Sequence, residues 1–402
     1  MSTSSAAARS AESAPMPRSP REFLRRFGQG EYGSLRVLIT LAVIWIIFGL
    51  AHDRFLSAVN LTNLSLQIAG IGLISVGVVL VLLLGEIDLS VAIVSGLCAA
   101  IMAVLNVKHG WSPVLAVLVA IAAGLAIGTF QGFVHTRFGI PSFVVTLAGL
   151  LGWQGALLWV LGDTGTVNLN AAFIVDLAGT FFDDVVGWII AAALIAVYAA
   201  VALAGRRERL KAGLDALPAG LVVARIVAVA IPVLLTVWIV NQDRGLPLAL
   251  VILVGFVILF DYVTQRTRFG RHVYAVGGNE EAARRAGIRV GRVRVAVFAL
   301  ASMMAACGGI MLASRLLAVN QSSGGSDLLL LSIAGPVIAG TSLFGGRGRV
   351  WSALLGALVI GSISNGMDLL AYSSDTKFMV TGAVLLGAVV VDAATSRRRR
   401  RA

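Results

Sequence analysis

The chain has 402 residues, of which 58% are hydrophobic and 13% charged, with a formal net charge of +12. Soluble chains are about 25% charged, so a soluble fold of this length would lack the polar surface to cover itself, and a disordered or nucleic-acid-binding chain is excluded on the same ground. What remains is a polytopic membrane protein, with room for roughly ten to twelve spans at about 20 residues each.

Residues 1–34 are rich in Ser, Ala, Pro and Arg and hold no apolar stretch. They read as a disordered polar tail and not as a secretory signal, because the first apolar run comes late and no small-residue cleavage site follows it. Apolar runs then recur at about 35–51, 64–84, 89–107, 112–135, 140–162, 186–204, 220–240, 247–263, 295–313, 327–344, 350–367 and 377–393. Each is near the length a helix needs to cross the hydrocarbon layer, and a lone strand cannot satisfy its backbone there. Pro336 is expected to kink the tenth run. Cys98 and Cys307 sit in apolar runs and read as small hydrophobes.

The basic residues set the orientation. With the N-terminus inside, 26 of the 32 Lys and Arg fall on the inner side, and five (Arg54, Lys108, Arg244, Arg315 and Lys377) fall outside. Arg225 lies within a run, near its inner end, where it could snorkel. This asymmetry predicts an all-α bundle of about twelve spans with both termini cytoplasmic. Residues 395–402 form a basic cytoplasmic tail. Two loops are long: 163–185 outside and 264–294 inside.

Several chemistries find no support. None of the three lysines follows the Gly-Lys-Ser/Thr pattern of a phosphate-binding loop. The four histidines show no ligand spacing, and no nucleophile-elbow or zinc-protease motif is present. The chain reads as neither an enzyme nor a holder of any cofactor or metal.

The inner loop is the most informative segment. Asn279 is a good N-cap. Glu280 and Glu281 suit the positive end of a helix, and Arg284 and Arg285 the negative end. Gly287 fits the left-handed position after the last turn. The loop therefore predicts a helix of about two turns, too short to stand without a docking surface; a solvated connector is the plainer alternative. Gly345, Gly346 and Gly348 predict a tight turn between two spans. Asp88 and Ser90 stand where a span begins, as an N-cap, a partner contact or a hinge. Polar residues inside spans are costly, which makes Gln67, Gln131, Gln154, Asn365 and Asp368 candidates for a polar pathway or for helix-to-helix hydrogen bonds.

Three motifs carry a resemblance. Gly277-Gly278-Asn279-Glu280-Glu281-Ala282-Ala283-Arg284-Arg285-Ala286-Gly287-Ile288 resembles the cytoplasmic loop of bacterial sugar ABC-transporter permeases of the ribose, xylose, arabinose and galactose type. Gly85-Glu86-Ile87-Asp88-Leu89-Ser90-Val91 and Gly340-Thr341-Ser342-Leu343-Phe344-Gly345-Gly346-Arg347-Gly348 are similar to two further motifs of that family, and Asn365-Gly366-Met367 follows at the expected distance. The resemblance covers most of 55–395 and is closest to D-xylose permeases, which share the extra length before the loop. Ala92 departs from the usual Gly, and Pro336 and Ala339 alter the run before Gly340.

The resemblance implies a permease domain over 35–394 with an ATPase-coupling loop at 264–294, its contact residues being Gly277 to Arg285 and Gly287. Glu86, Asp88, Ser90 and the five polar span residues are then pathway or gate candidates. It also implies a cytoplasmic ATP-binding subunit, an extracytoplasmic sugar-binding protein and a second permease copy, all in the bacterial inner membrane. The substrate expected is a monosaccharide, D-xylose or a related pentose. The alternatives are an ABC permease for another small solute and an ion-coupled secondary transporter.

Overall fold

The computed structural model describes residues 33–401, and the tail expected over 1–34 falls almost wholly outside them. Every apolar run coincides with a helix. In chain order these are α1 (Gly33–Ala51), α2 (Ala58–Leu83), α3 (Val91–Ala103), α4 (Pro113–Phe138), α5 (Ser142–Leu161), α6 (Ala172–Gly179), α7 (Asp184–Lys211), α8 (Ala219–Val240), α9 (Leu248–Arg266), α10 (Arg268–Gly278), α11 (Glu280–Arg285), α12 (Val290–Leu316), α13 (Ser326–Ile338), α14 (Trp351–Leu369) and α15 (Ser374–Arg401). A π-helical turn, Val104–Lys108, extends α3.

Among the described residues nine helices are long and apolar enough to cross a membrane, with two shorter apolar helices beside them. The tenth run is one of the short ones. Helix is expected over about 327–344 but stops at Ile338. Pro336 lies in its last turn, the Thr341 amide bonds back to Pro336 O at 2.9 Å, and Gly340 takes a φ of +97°. A proline followed by a left-handed glycine terminates the helix instead of kinking it. The loop 163–185 also carries more structure than expected: β1 (Thr166–Asn168), α6 and β2 (Phe181–Phe182). These strands pair antiparallel with β4 (Ala318–Asn320) and β3 (Leu246–Pro247).

The axis of the bundle is α2, buried along nearly its whole length from Leu64 to Leu83. Against it pack α9, α12, α13 and α14, and α12 in turn packs on α3 and α4. Small residues allow the close crossing of α2 and α12, where a side chain at Gly308 would meet Gly70 O at 2.7 Å. The pair α7 and α8 lies at the edge, most of each exposed in the isolated chain. Because α2 runs through the molecule, its two ends define two faces. Residues 84–90 follow its C-terminal end, and Asn60 marks the other.

Candidate functional site

The three motifs, far apart in sequence, meet at the C-terminal end of α2. The amide of Gly346 donates to Leu83 O at 2.9 Å. Gly345, with φ +81°, has Gly277 O and Gly85 N within 3 Å of where a side chain would begin. From α10, the Tyr274 hydroxyl donates to Gly348 O at 2.8 Å and accepts from Gln265 Nε2 at 2.7 Å. The turn 340–348 is thus a shelf between the end of α2 and the entry to α11. Gly345, Gly346 and Gly348 all have positive φ, which a turn of this tightness demands.

The helix α11 is built by its own sequence. Asn279 Oδ1 accepts from the Ala282 amide at 2.9 Å, and Gly287 takes φ +82° just beyond the last turn. Arg284 Nη2 donates to Glu280 Oε1 at 2.7 Å, and Arg285 Nε to Glu281 Oε1 at 3.1 Å. The Arg285–Glu281 side chains are 79% and 64% exposed, so that pair holds little energy. One face of α11 is anchored by the buried Ala283. Sequence reasoning places a single helix in this loop. The structure adds the amphipathic α10, which buries Val273 and Val276 and carries Gly277 and Gly278 at its end.

Sequence reasoning also misses the residue that ties the site together. Arg294, in the first turns of α12, donates from Nη2 to Glu280 Oε2 at 2.8 Å and from Nη1 to Glu280 Oε1 at 3.1 Å. The same Nη2 lies 2.8 Å from Glu86 Oε1. One guanidinium thereby joins α11 to the break after α2. The side chains of Arg294 and Glu86 are only 19% and 12% exposed, so this bridge works at reduced dielectric. His135, near the end of α4, adds a fourth member: Nε2 faces Glu86 Oε1 at 3.2 Å and Nδ1 faces Ile140 O at 2.6 Å. Both ring nitrogens meet acceptors, an arrangement that uses both ring protons. Burial raises the Glu86 carboxyl, but the hydrogen bonds of His135 and Ser142 and the charges of Arg294 and His135 outweigh it, and the group is lowered to about 2. At Glu280, too, desolvation is outweighed by Arg294 and Arg284, and its carboxyl lies below the usual range. His135, Ile140, Glu280, Arg284 and Arg294 line a cleft of about 460 Å³ on this face.

The other candidates divide between the two ends. Asp88 is buried, and its Oδ1 accepts from the Ser90 amide at 2.8 Å and the Ser90 hydroxyl at 2.7 Å. Gln131 Nε2 donates to Ser90 Oγ at 2.9 Å. Burial pushes the Asp88 carboxyl up, and its Oδ2 has no hydrogen-bond partner among the described residues. This trio locks the start of α3 against α4. At the opposite face, Asn365 and Asn60 exchange amide hydrogen bonds at 2.7 and 3.0 Å. Asp368, exposed, pairs with Lys377. Gln154 Nε2 reaches Gln321 O at 3.5 Å. Gln67 is half-buried in the middle of α2, with no hydrogen bond to the described residues. The candidates do not form one channel-lining set. Glu86, Asp88, Ser90 and Gln131 cluster beside the loop helix, while Asn365 and Asp368 lie at the far end.

Residues 60–389 match the family model described as "Branched-chain amino acid transport system / permease component". The xylose transport system permease protein of Escherichia coli (strain K12) is 37% identical over 369 residues, 91% of this chain and 93% of that protein. The corresponding protein of Haemophilus influenzae is 33% identical, covering 90% and 96%. The ribose import permease protein of Bacillus subtilis is 30% identical, covering 90% and 94%. No solved structure matches.

Proposed function

The chain belongs to the branched-chain amino acid transport system / permease component family, and from that premise we propose that it is the membrane subunit of an ATP-driven bacterial importer of a monosaccharide, D-xylose or a related pentose. It is a permease subunit, as its relatives' names say of them, and in this reading it is not an enzyme; ATP hydrolysis belongs to a partner subunit. In this reading twelve helices span the inner membrane, both termini lie in the cytoplasm, and residues 35–394 form one permease domain. Two copies pair, a cytoplasmic ATP-binding subunit docks on α11, and an extracytoplasmic sugar-binding protein delivers the substrate. The names of the relatives support xylose first and ribose second.

The observation that carries the mechanism is the Arg294 bridge between Glu280 and Glu86. Closure of the ATPase subunits displaces α11. Glu280 moves with it, and Arg294 passes the displacement to Glu86 and thus to the hinge between α2 and α3. The Gly277–Gly345 contact makes the shelf at 340–348 move as one body with α10. A change at the junction then becomes a tilt of α2, the packed axis of the bundle, and alternating access follows as a rigid-body rearrangement. A sugar needs hydroxyl partners and no fixed charge, which suits a bundle with few ionisable groups inside its spans.

Proteoliposomes holding this permease, its ATPase and its binding protein test the reading. Labelled xylose should accumulate only with ATP and should survive collapse of the proton gradient. Uptake that ignores ATP but stops with the gradient would transfer the chain to ion-coupled transport. Accumulation of a different solute, with xylose excluded, would overturn the substrate alone.

A further inference from the structure

The edge pair α7 and α8 carries a charge arrangement that the transport mechanism leaves unused. Arg206, Arg207, Arg209 and Lys211 close α7, and a short connector, 212–218, turns the chain into α8. Arg206 Nε donates to Leu217 O at 3.1 Å, which folds the basic end of α7 onto the entry to α8. Six residues beyond the first residue of α8 lies Arg225, about 9 Å farther along the axis at 1.5 Å per residue. Its neighbours in the helix are Val222, Val223, Ala224, Ile226 and Val227, and α8 contains no carboxylate. Arg225 is exposed on the outside of the chain and has no hydrogen bond or ion pair with the described residues. Glu208 and Asp215 are the acidic residues of the turn, against four cations.

A bare guanidinium in hydrocarbon is costly and is retained where it meets an anion or reaches the interface. An arginine stem can reach several ångströms back toward the headgroup layer while its methylenes stay in lipid. There it would arrive under the cluster 206–211. Arg presents a planar fork that matches two phosphate oxygens, and clusters of four or more basic residues beside a span attract anionic headgroups.

We propose that Arg225, with Arg206, Arg207, Arg209 and Lys211 above it, forms a binding site for the phosphate of an anionic phospholipid of the surrounding bilayer. The phosphate sits where α7 and α8 meet their connector, with the acyl chains lying along the exposed apolar face of α8. It gives this peripheral pair, weakly held by the bundle, a fixed depth in the membrane.

The test uses the full-length permease in detergent with equal amounts of phosphatidylglycerol and phosphatidylcholine, and native mass spectrometry to read retained lipid and oligomeric state together. The unsubstituted chain should retain phosphatidylglycerol preferentially, and Arg225→Leu should reduce that retention about fivefold, the effect of about one unit charge at a membrane surface. Arg225→Lys should keep part of it. Excess inorganic phosphate should leave the lipid bound; displacement by free phosphate would show a soluble-anion site and overturn the lipid assignment. Equal retention of the two lipids by the unsubstituted chain, or unchanged retention in Arg225→Leu, would also overturn it. So would a variant that loses the dimer but keeps its lipid, since Arg225 would then face a second copy. If Arg225→Leu does not accumulate, Arg207→Ala combined with Arg209→Ala gives the same readout outside the apolar segment, with loss of phosphatidylglycerol preference expected.

Discussion

Arg294 and Glu280 are joined by two parallel hydrogen bonds, 2.8 and 3.1 Å long, between the first turns of α12 and the first residue of α11. This fork is what makes the loop helix part of the bundle, because the same guanidinium also holds Glu86. A short helix of six residues has no stability of its own. Its position is set by this bridge, by the buried Ala283 and by the glycine contact below it.

Arg294→Lys should separate fork from charge. An ammonium keeps the positive charge but cannot hold two carboxylates with the same planar geometry. The variant should fold, keep most of its ATPase association, and lose about tenfold in ATP-driven uptake per ATP hydrolysed, the effect of about 1.4 kcal/mol of lost coupling. Arg294→Ala should be worse, because it leaves the part-buried Glu86 with His135 as its remaining ion-pair partner, and breaking a buried pair costs up to about 3 to 5 kcal/mol. Uptake and hydrolysis measured together in proteoliposomes decide this. Unchanged transport per ATP in Arg294→Lys would remove Arg294 from the coupling route.

The acid limb of stability should belong largely to Glu86. Its carboxyl is lowered from 4.5 to about 2 in the folded chain. A depressed carboxylate contributes stability that is fully present above 4.5 and is lost as pH falls through the folded value. The shift corresponds to about 3 kcal/mol at neutral pH. Thermal unfolding in detergent should therefore be flat from pH 8 to about 5 on account of this group and then fall. Glu86→Gln should start less stable and show a shallower acid limb. Parallel acid limbs in the two proteins would refute the assignment.

Much of this architecture is legible without coordinates. Apolar runs of span length have few alternatives in lipid, so the long apolar helices could be placed by length alone, and among the described residues nine are long enough to cross a membrane. Asn279 and Gly287 bracket α11 through local backbone chemistry that any helix of that sequence obeys. The Arg294 bridge was not legible, because Arg294 sits in a segment with eight basic residues, every one of which positive-inside bias explains equally well. Nothing local distinguishes it; only the packing of α12 beside α11 and the α2–α3 break does. The early end of α13 was written in the chain as Pro336 and Gly340, but hydropathy alone carried the run past them. The amphipathic α10 was hidden by the charges at Arg268 and Arg271, which read as loop.

Gly277 and Gly278 form an internal control for the shelf. A side chain at Gly277 would collide with the backbone of Leu83 and Gly346, whereas at Gly278 it would meet nothing within 4 Å. Backbone cannot rotate away as a flexible side chain can. Gly277→Ala should lower stability by about 1 to 3 kcal/mol and impair uptake, while Gly278→Ala should be neutral or slightly stabilising through its helical propensity. Melting temperatures of the two variants, measured side by side, check the contact. Equal melting temperatures would mean that α10 does not sit on the end of α2.

Gln67 and Asn365 are both polar residues in spans, and the structure predicts opposite phenotypes for them. Asn365 exchanges two amide hydrogen bonds with Asn60, which also donates to Phe55 O at 2.8 Å. Asn365→Ala leaves the Asn60 amide short of a partner in a buried site, at a cost of about 1 to 3 kcal/mol. The double variant with Asn60→Ala should lose less than the sum of the two single losses, the mark of a direct pair. Gln67 has no such partner, so Gln67→Leu removes nothing from the fold and should leave melting unchanged or raise it. A half-buried amide within an apolar span and without a protein partner is costly unless it meets water or a polar solute. Gln67→Leu should accordingly weaken uptake, through the apparent affinity for sugar or its maximal rate, while association with the ATPase persists. Transport kinetics set beside unfolding curves separate the two residues. A Gln67→Leu protein with full uptake would take Gln67 off the pathway and leave it a tolerated polar group in the wall of the bundle.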